Sequence, residues 1–184
     1  MNKNYSHYLV VLALLVAPFI YLSTFYASLP ATIPTHFNIK GEADGFGDKT
    51  MAFIGIVSLF TYLIMINIKK IDPKRYENNN DAYFKAFGLI IVAFMSALNM
   101  VILTKTKYPG AAIDKLLLPL LGLLFAVMGF YFPKLSQNYF AGFKLPWTLS
   151  SEENWKATHM YAGKFWLYGG MLQMVLGFVL PDMW

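Results

Sequence analysis

His36, Glu42, Asp44 and Asp48 fall within thirteen residues of one another. One imidazole and three carboxylates are nitrogen and oxygen donors of the kind a divalent cation accepts. Their spacing matches no cation-binding loop. The expected arrangement is a hydrogen-bonded loop with solvated acids, and no metal is assigned to it. Two amides, Asn99 and Gln173, sit inside long apolar runs. They could line a polar path, but an amide in that setting more often makes one hydrogen bond between helices. No Asp, Glu, Arg or His is expected inside an apolar run, which removes the midplane ionisable group that proton pumps and ion-coupled carriers use. The chain has no cysteine, so disulfides and thiolate metal sites are excluded. No nucleophile converges with a base, so the chain is not expected to be an enzyme, and no cofactor is implied.

Residues 138–159 are richer in specific side chains than a connector requires. Asn138 and Gly142 flank Tyr139, Phe140 and Phe143. Leu145 precedes Pro146, so residues 144–149 read as an extended, partly apolar strip. Ser150 followed by Glu153 is a capping box, which starts a helix at Ser151. On that helix Trp155, His159, Ala162 and Trp166 recur at steps of four, three and four and share one face. Glu152 and Lys156 pair on another. Such a short amphipathic helix at a membrane interface serves either as an anchor or as a docking surface, and the residues alone weigh the two equally.

The elements that position these residues follow from composition. The chain has 184 residues, 57% hydrophobic and 14% charged, where a soluble domain carries about 25% charged residues. Charges cluster between uncharged runs long enough for the ~30 Å hydrocarbon core of a bilayer. The expected fold is all-α: a single polytopic membrane domain over 1–184 with about five transmembrane helices, at 8–26, 51–68, 86–103, 116–132 and 160–180. The first run is too long for a signal-peptide core and reads as an uncleaved helix. With the N-terminus inside, ten of the 15 Lys and Arg residues fall in cytoplasmic segments, which gives an N-inside, C-outside orientation. Residues 28–50 are then an extracytoplasmic loop and 133–159 a cytoplasmic segment.

Pro18 should kink the first helix, and Pro119 falls in the first turn of the fourth, where a missing N–H costs little. Gly122 and Gly129, and Gly163, Gly170 and Gly177, recur every seven residues. That repeat keeps small residues on one face, and ordinary close packing of the last two spans is the favoured reading over a sliding seam. In the outer loop, Pro30 and Pro34 force extended backbone before them, and residues 35–39 alternate weakly, so a small ordered cap is expected. The basic, Asn-rich connector at 69–85 either meets anionic headgroups or enforces topology.

The order Asn138…Gly142-Phe-Lys-Leu-Pro146-Trp-Thr-Leu149…Trp155…Thr158-His159…Gly163 resembles the signature of the SdpI family of bacterial membrane proteins. The outer loop, Leu29-Pro…Ile33-Pro-Thr-His-Phe…Gly41…Asp44…Lys49, resembles the small uncharacterised domain common at that family's N-terminus. The resemblance implies a multi-pass protein of the bacterial cell membrane that confers immunity to a secreted peptide toxin outside, or signals to a cytosolic repressor inside, without binding nucleic acid directly. It implies a cytoplasmic partner surface of Asn138, Gly142, Lys144, Pro146, Trp147, Thr148, Trp155 and His159. The extracytoplasmic set it implies is Pro30, Pro34, His36, Phe37, Gly41, Asp44 and Lys49. Lys144 stands where arginine is usual, which keeps the charge and loses the planar fork. The competing function is a small-solute transporter or channel-like module using Asn99 and Gln173.

Overall fold

Long uncharged segments become helices because lipid offers no partner for backbone N–H and C=O groups. The computed structural model describes residues 3–38, 42–71, 81–111 and 114–179. Its helices are α1 (Lys3–Ser23), α2 (Val57–Ile71, continuing a 3-10 run at Lys49–Ile56), α3 (Asp81–Lys107), α4 (Asp114–Tyr131), α5 (Pro146–Ser150) and α6 (Glu152–Val179). Among the described residues, four stretches are long and apolar enough to cross a membrane: Tyr5–Ser23, Lys49–Ile68, Ala82–Lys107 and Lys115–Lys134. The fold is that of an all-α, polytopic membrane protein carrying one small hairpin.

The fifth expected span is helical through Val179 but is not among those four. Lys164, Gln173 and its glycines dilute the apolar character of α6, which spends one side on packing against α4. The first span begins earlier than expected, at Tyr5, and so takes in His7. His7 Nε2 lies 3.0 Å from the Tyr62 hydroxyl of α2, so one imidazole does lie within a membrane-length helix. Likewise α4 begins at Asp114, which moves Pro119 out of the first turn and into the helix.

Helix α3 contacts α1, α2 and α4, and α4 in turn contacts α6. A polar contact helps fix α1 on α3. Pro18 has no N–H, so the Leu14 carbonyl, four residues earlier, loses its partner within the helix. The Ser96 hydroxyl of α3 donates to that carbonyl at 2.7 Å. The α4–α6 pair uses the glycine repeat. A Cβ on Gly129 would lie 2.3 Å from the Leu167 N, and one on Gly170 2.4 Å from the Ala126 N. The backbones therefore approach as closely as small residues permit.

Between α1 and the 3-10 run, β1 (Thr32–Phe37) pairs antiparallel with β2 (Ala43–Asp48), Thr32 opposite Asp48 and Pro34 opposite Phe46. The ladder bulges between Pro34 and His36, where proline can donate no ladder hydrogen bond. The expected cap is thus a hairpin, and its first strand starts three residues ahead of the expected alternation; Ile39 lies outside the described residues. The second strand has poor strand formers, and the reason is space: a Cβ on Gly45 would lie 2.8 Å from the His36 Cβ.

Candidate functional site at the α4–α6 junction

The chain leaves α4 through a 3-10 turn at Phe132–Lys134 and folds back on itself before α6 begins. Asn138, fully buried, organises the first bend. Its Oδ1 accepts from the N–H groups of Phe140 (2.9 Å) and Ala141 (2.7 Å), and its Nδ2 donates to the Ser136 carbonyl (2.9 Å). One amide side chain therefore satisfies three backbone groups that no regular element pairs.

Gly142 follows with φ = 102°, a conformation that suits glycine. It brings the chain against α6, where the next backbone N–H, of Phe143, donates to His159 Nε2 at 2.9 Å. His159 Nδ1 lies 2.8 Å from the Trp155 carbonyl. A donor to one ring nitrogen and a carbonyl at the other fix the neutral tautomer with the proton on Nδ1. The His159 ring stacks on Trp155 with centroids 4.0 Å apart. Phe132 and Phe143 meet it edge-on. Burial pushes the His159 pKa below the ordinary imidazole value, and the Trp155 carbonyl pulls it back in part. Trp155 itself is fully buried and donates Nε1–H to the Leu135 carbonyl at 2.8 Å.

Thr148 closes the bend. Its hydroxyl donates to the Phe143 carbonyl at 2.7 Å and accepts the Leu145 N–H at 2.9 Å. Gln137 donates to the Thr148 carbonyl from below. The strip expected to be extended at residues 144–149 is instead the short helix α5 from Pro146. Proline is favourable at a first helical position, because its missing N–H needs no partner there. The cap of α6 also falls one residue later than expected. The Ser151 hydroxyl, and not that of Ser150, accepts the Asn154 N–H at 3.2 Å.

The expected cytoplasmic residues thus divide by burial. Asn138, Thr148, Trp155 and His159 are buried and joined through Gly142 into one hydrogen-bonded knot. Lys144, Pro146 and Trp147 lie on its outer surface, with Trp147 56% exposed. The sequence reading missed Gln137, whose buried amide had no signal beyond its place beside Asn138.

At the other end, His36 Nδ1 lies 2.5 Å from Asp44 Oδ1. Glu42 accepts from Asn38, and Asp48 accepts the Thr50 N–H, which holds its carboxyl below the usual range. Each group expected in a solvated loop has its own local partner, and no group of three metal-ligating side chains occurs among the described residues. Lys49 sits 5.1 Å over the Tyr26 ring. Pro30 is exposed and Pro34 half-buried. Gly41 and the Phe37 side chain lie outside the described residues. Asn99 packs against Gly55, whose Cβ would lie 3.0 Å from its Nδ2. Gln173 donates to the Leu118 carbonyl of α4. The two amides of the transporter reading therefore serve different helix seams.

An apolar cluster lies at each end of α3. Phe84 and Phe87 at the start of α3 join Ile68, Phe132, Leu135 and Trp155 of the knot. Leu103 near the end of α3 joins Leu22, Phe25, Leu29 and Ile33 beneath the hairpin. Sixteen residues of helix from Phe87 to Leu103 span about 24 Å, most of a bilayer's hydrocarbon thickness. Residues 134–184 match the SdpI/YfhL protein family, and residues 13–61 match a domain of unknown function, DUF1648. The first match contains the knot from Lys134 onward, and the second contains the hairpin. No curated protein and no solved structure matches the chain.

Proposed function

We propose that this SdpI-like polytopic membrane protein, with a DUF1648 segment ahead of its family signature, is a non-enzymatic immunity and signalling protein of the bacterial cell membrane. In this reading the N-terminus is inside. The hairpin and its flanks, residues 29–49, meet a secreted membrane-active peptide toxin outside. The knot of residues 138–159 answers on the cytoplasmic face, where Lys144 and Trp147 offer a surface to a repressor.

One observation carries the reading. Two ordered loops of different chemistry sit at opposite ends of one helix, α3, which packs against both through apolar clusters. A binding event at the hairpin has a rigid, packed route to the knot, while the amides that could have formed a solute path are taken up in separate seams. Rigid packed elements of this kind can carry coupling between distant sites.

The test is expression in toxin-sensitive cells, with survival compared in the presence and absence of the protein. Protection by the intact chain, lost on deletion of the hairpin, is expected. Unchanged killing by every membrane-active peptide tried would overturn the immunity reading.

A further inference from the structure

We infer that Lys107 is the centre of a phosphate-binding site for the headgroup of an anionic lipid, at the hairpin end of the helices. Lys107 ends the membrane-length stretch Ala82–Lys107, which places it at headgroup depth. Its Nζ lies 5.4 Å from the Tyr21 ring centroid, 5.0 Å from that of Phe25 and 5.3 Å from that of Tyr108. The first two rings come from α1 and the residues just after it, and they pack edge to face, 5.2 Å apart. A half-buried ammonium is thus cradled by three π faces.

Ring faces attract the charge but do not cancel it, and the ammonium keeps N–H donors for an acceptor. Among the described residues no carboxylate pairs with it. Two of the three rings carry hydroxyls: Tyr21, whose oxygen lies 3.5 Å from Thr104 Oγ1, and Tyr108. One fixed cation with hydroxyl donors suits a tetrahedral oxyanion, through charge-assisted hydrogen bonds. At this depth the abundant oxyanion is a lipid phosphate, which a fixed ammonium attracts through charge-assisted hydrogen bonds. The cradle also holds the lysine side chain in place before binding, which lowers the entropy lost on association. Lys115, at the same end of the helices on α4, is exposed and supplies the contrast.

The test uses the full chain in neutral detergent, titrated with phosphatidylglycerol, with retained lipid counted by native mass spectrometry. Phosphatidylglycerol should be retained more tightly than phosphatidylcholine. Lys107→Gln should weaken it about fivefold, the loss of ~1 kcal/mol per lysine near an anionic surface. Lys107→Arg should restore most of the affinity, and Phe25→Leu, which keeps the charge and removes a ring face, should weaken it. Lys115→Gln should leave it unchanged. Equal losses in Lys107→Gln and Lys115→Gln would reduce the effect to unlocalised charge and overturn the site, as would no loss in Lys107→Gln in a chain that elutes as a folded species. Inorganic phosphate, titrated separately, should fail to displace the lipid; displacement at millimolar phosphate would overturn the lipid assignment in favour of free phosphate.

Discussion

A Cβ placed on Gly142 would lie 2.2 Å from His159 Nε2, the atom that accepts the Phe143 N–H. Seventeen residues apart in sequence, the two positions interlock: the loop reaches the imidazole only because Gly142 has no side chain, and the imidazole accepts the hydrogen bond only while it is neutral. The knot between α4 and α6 closes at this point, and its buried members depend on that closure.

Gly142→Ala should therefore open the knot. The alanine would meet His159 and would also hold φ = 102°, a left-handed conformation that costs a non-glycine residue about 1–3 kcal/mol. The expected outcome is a lowered midpoint for thermal unfolding in detergent, with the Phe143 amide losing protection from hydrogen exchange. An unchanged midpoint would mean that the loop does not press on α6.

The same contact gives a pH dependence. The pKa of His159 is held below its unfolded value of 6.5, first by burial. A depressed histidine pKa means the unfolded state binds the proton more readily. The stabilisation is fully present above about pH 6.5 and is lost as pH falls towards the folded value. Protonation would turn Nε2 from an acceptor into a donor facing the Phe143 N–H. Melting curves from pH 8 to pH 5 should therefore show a decline that His159→Gln reduces, since a glutamine has no proton to gain. His7 and His36 remain in both proteins, so the difference between the two curves isolates His159.

The two tryptophans should separate by readout. Trp155 is fully buried, stacked on His159 and bonded to Leu135, so Trp155→Ala leaves a cavity and an unpaired carbonyl and should cost about 3–5 kcal/mol. Trp147 is 56% exposed, so Trp147→Ala should change stability by no more than about 0.5 kcal/mol. If α5 is a docking surface, Trp147→Ala should nevertheless lower survival in the toxin assay while the protein still reaches the membrane at normal level. Full protection by Trp147→Ala would make the exposed ring dispensable to function.

How far these features could be read in advance depended on the range of the interactions behind them. Uncharged runs marked the four membrane-length helices, because a bilayer acts on local composition. The Trp155–His159 face was legible from spacing, since helical periodicity is also local. The division of the knot into buried and exposed residues was not. Asn138, Gln137 and Thr148 are polar residues held inside by partners up to eleven residues away, and no pattern of hydropathy marks such a pairing. Pro146 predicts an extended strip at residues 144–149, and the residue before it is extended as expected; the helix after it arises because proline also suits a first turn. The second hairpin strand is not legible from sequence, because Ala-Asp-Gly-Phe-Gly-Asp lacks strand formers and its glycines answer to the partner strand.

Ser96 should matter out of proportion to its size. Pro18 leaves the Leu14 carbonyl without its helical donor, and the Ser96 hydroxyl supplies one from α3 at 2.7 Å. The pair lies in the membrane-length part of both helices, where water cannot take over. Ser96→Ala would leave the carbonyl unpaired. Measured side-chain hydrogen bonds between membrane helices average about 0.6 kcal/mol and reach about 1.7, and this one should fall towards the upper end because the orphaned group is a backbone carbonyl fixed by proline. Restoring the N–H should remove the dependence: Pro18→Ala lets the Leu14 carbonyl bond within α1, so Ser96→Ala should cost less in that background. A double-mutant cycle on unfolding in mixed micelles measures the coupling. Additive effects would show that Ser96 contributes packing alone and that the carbonyl finds another donor.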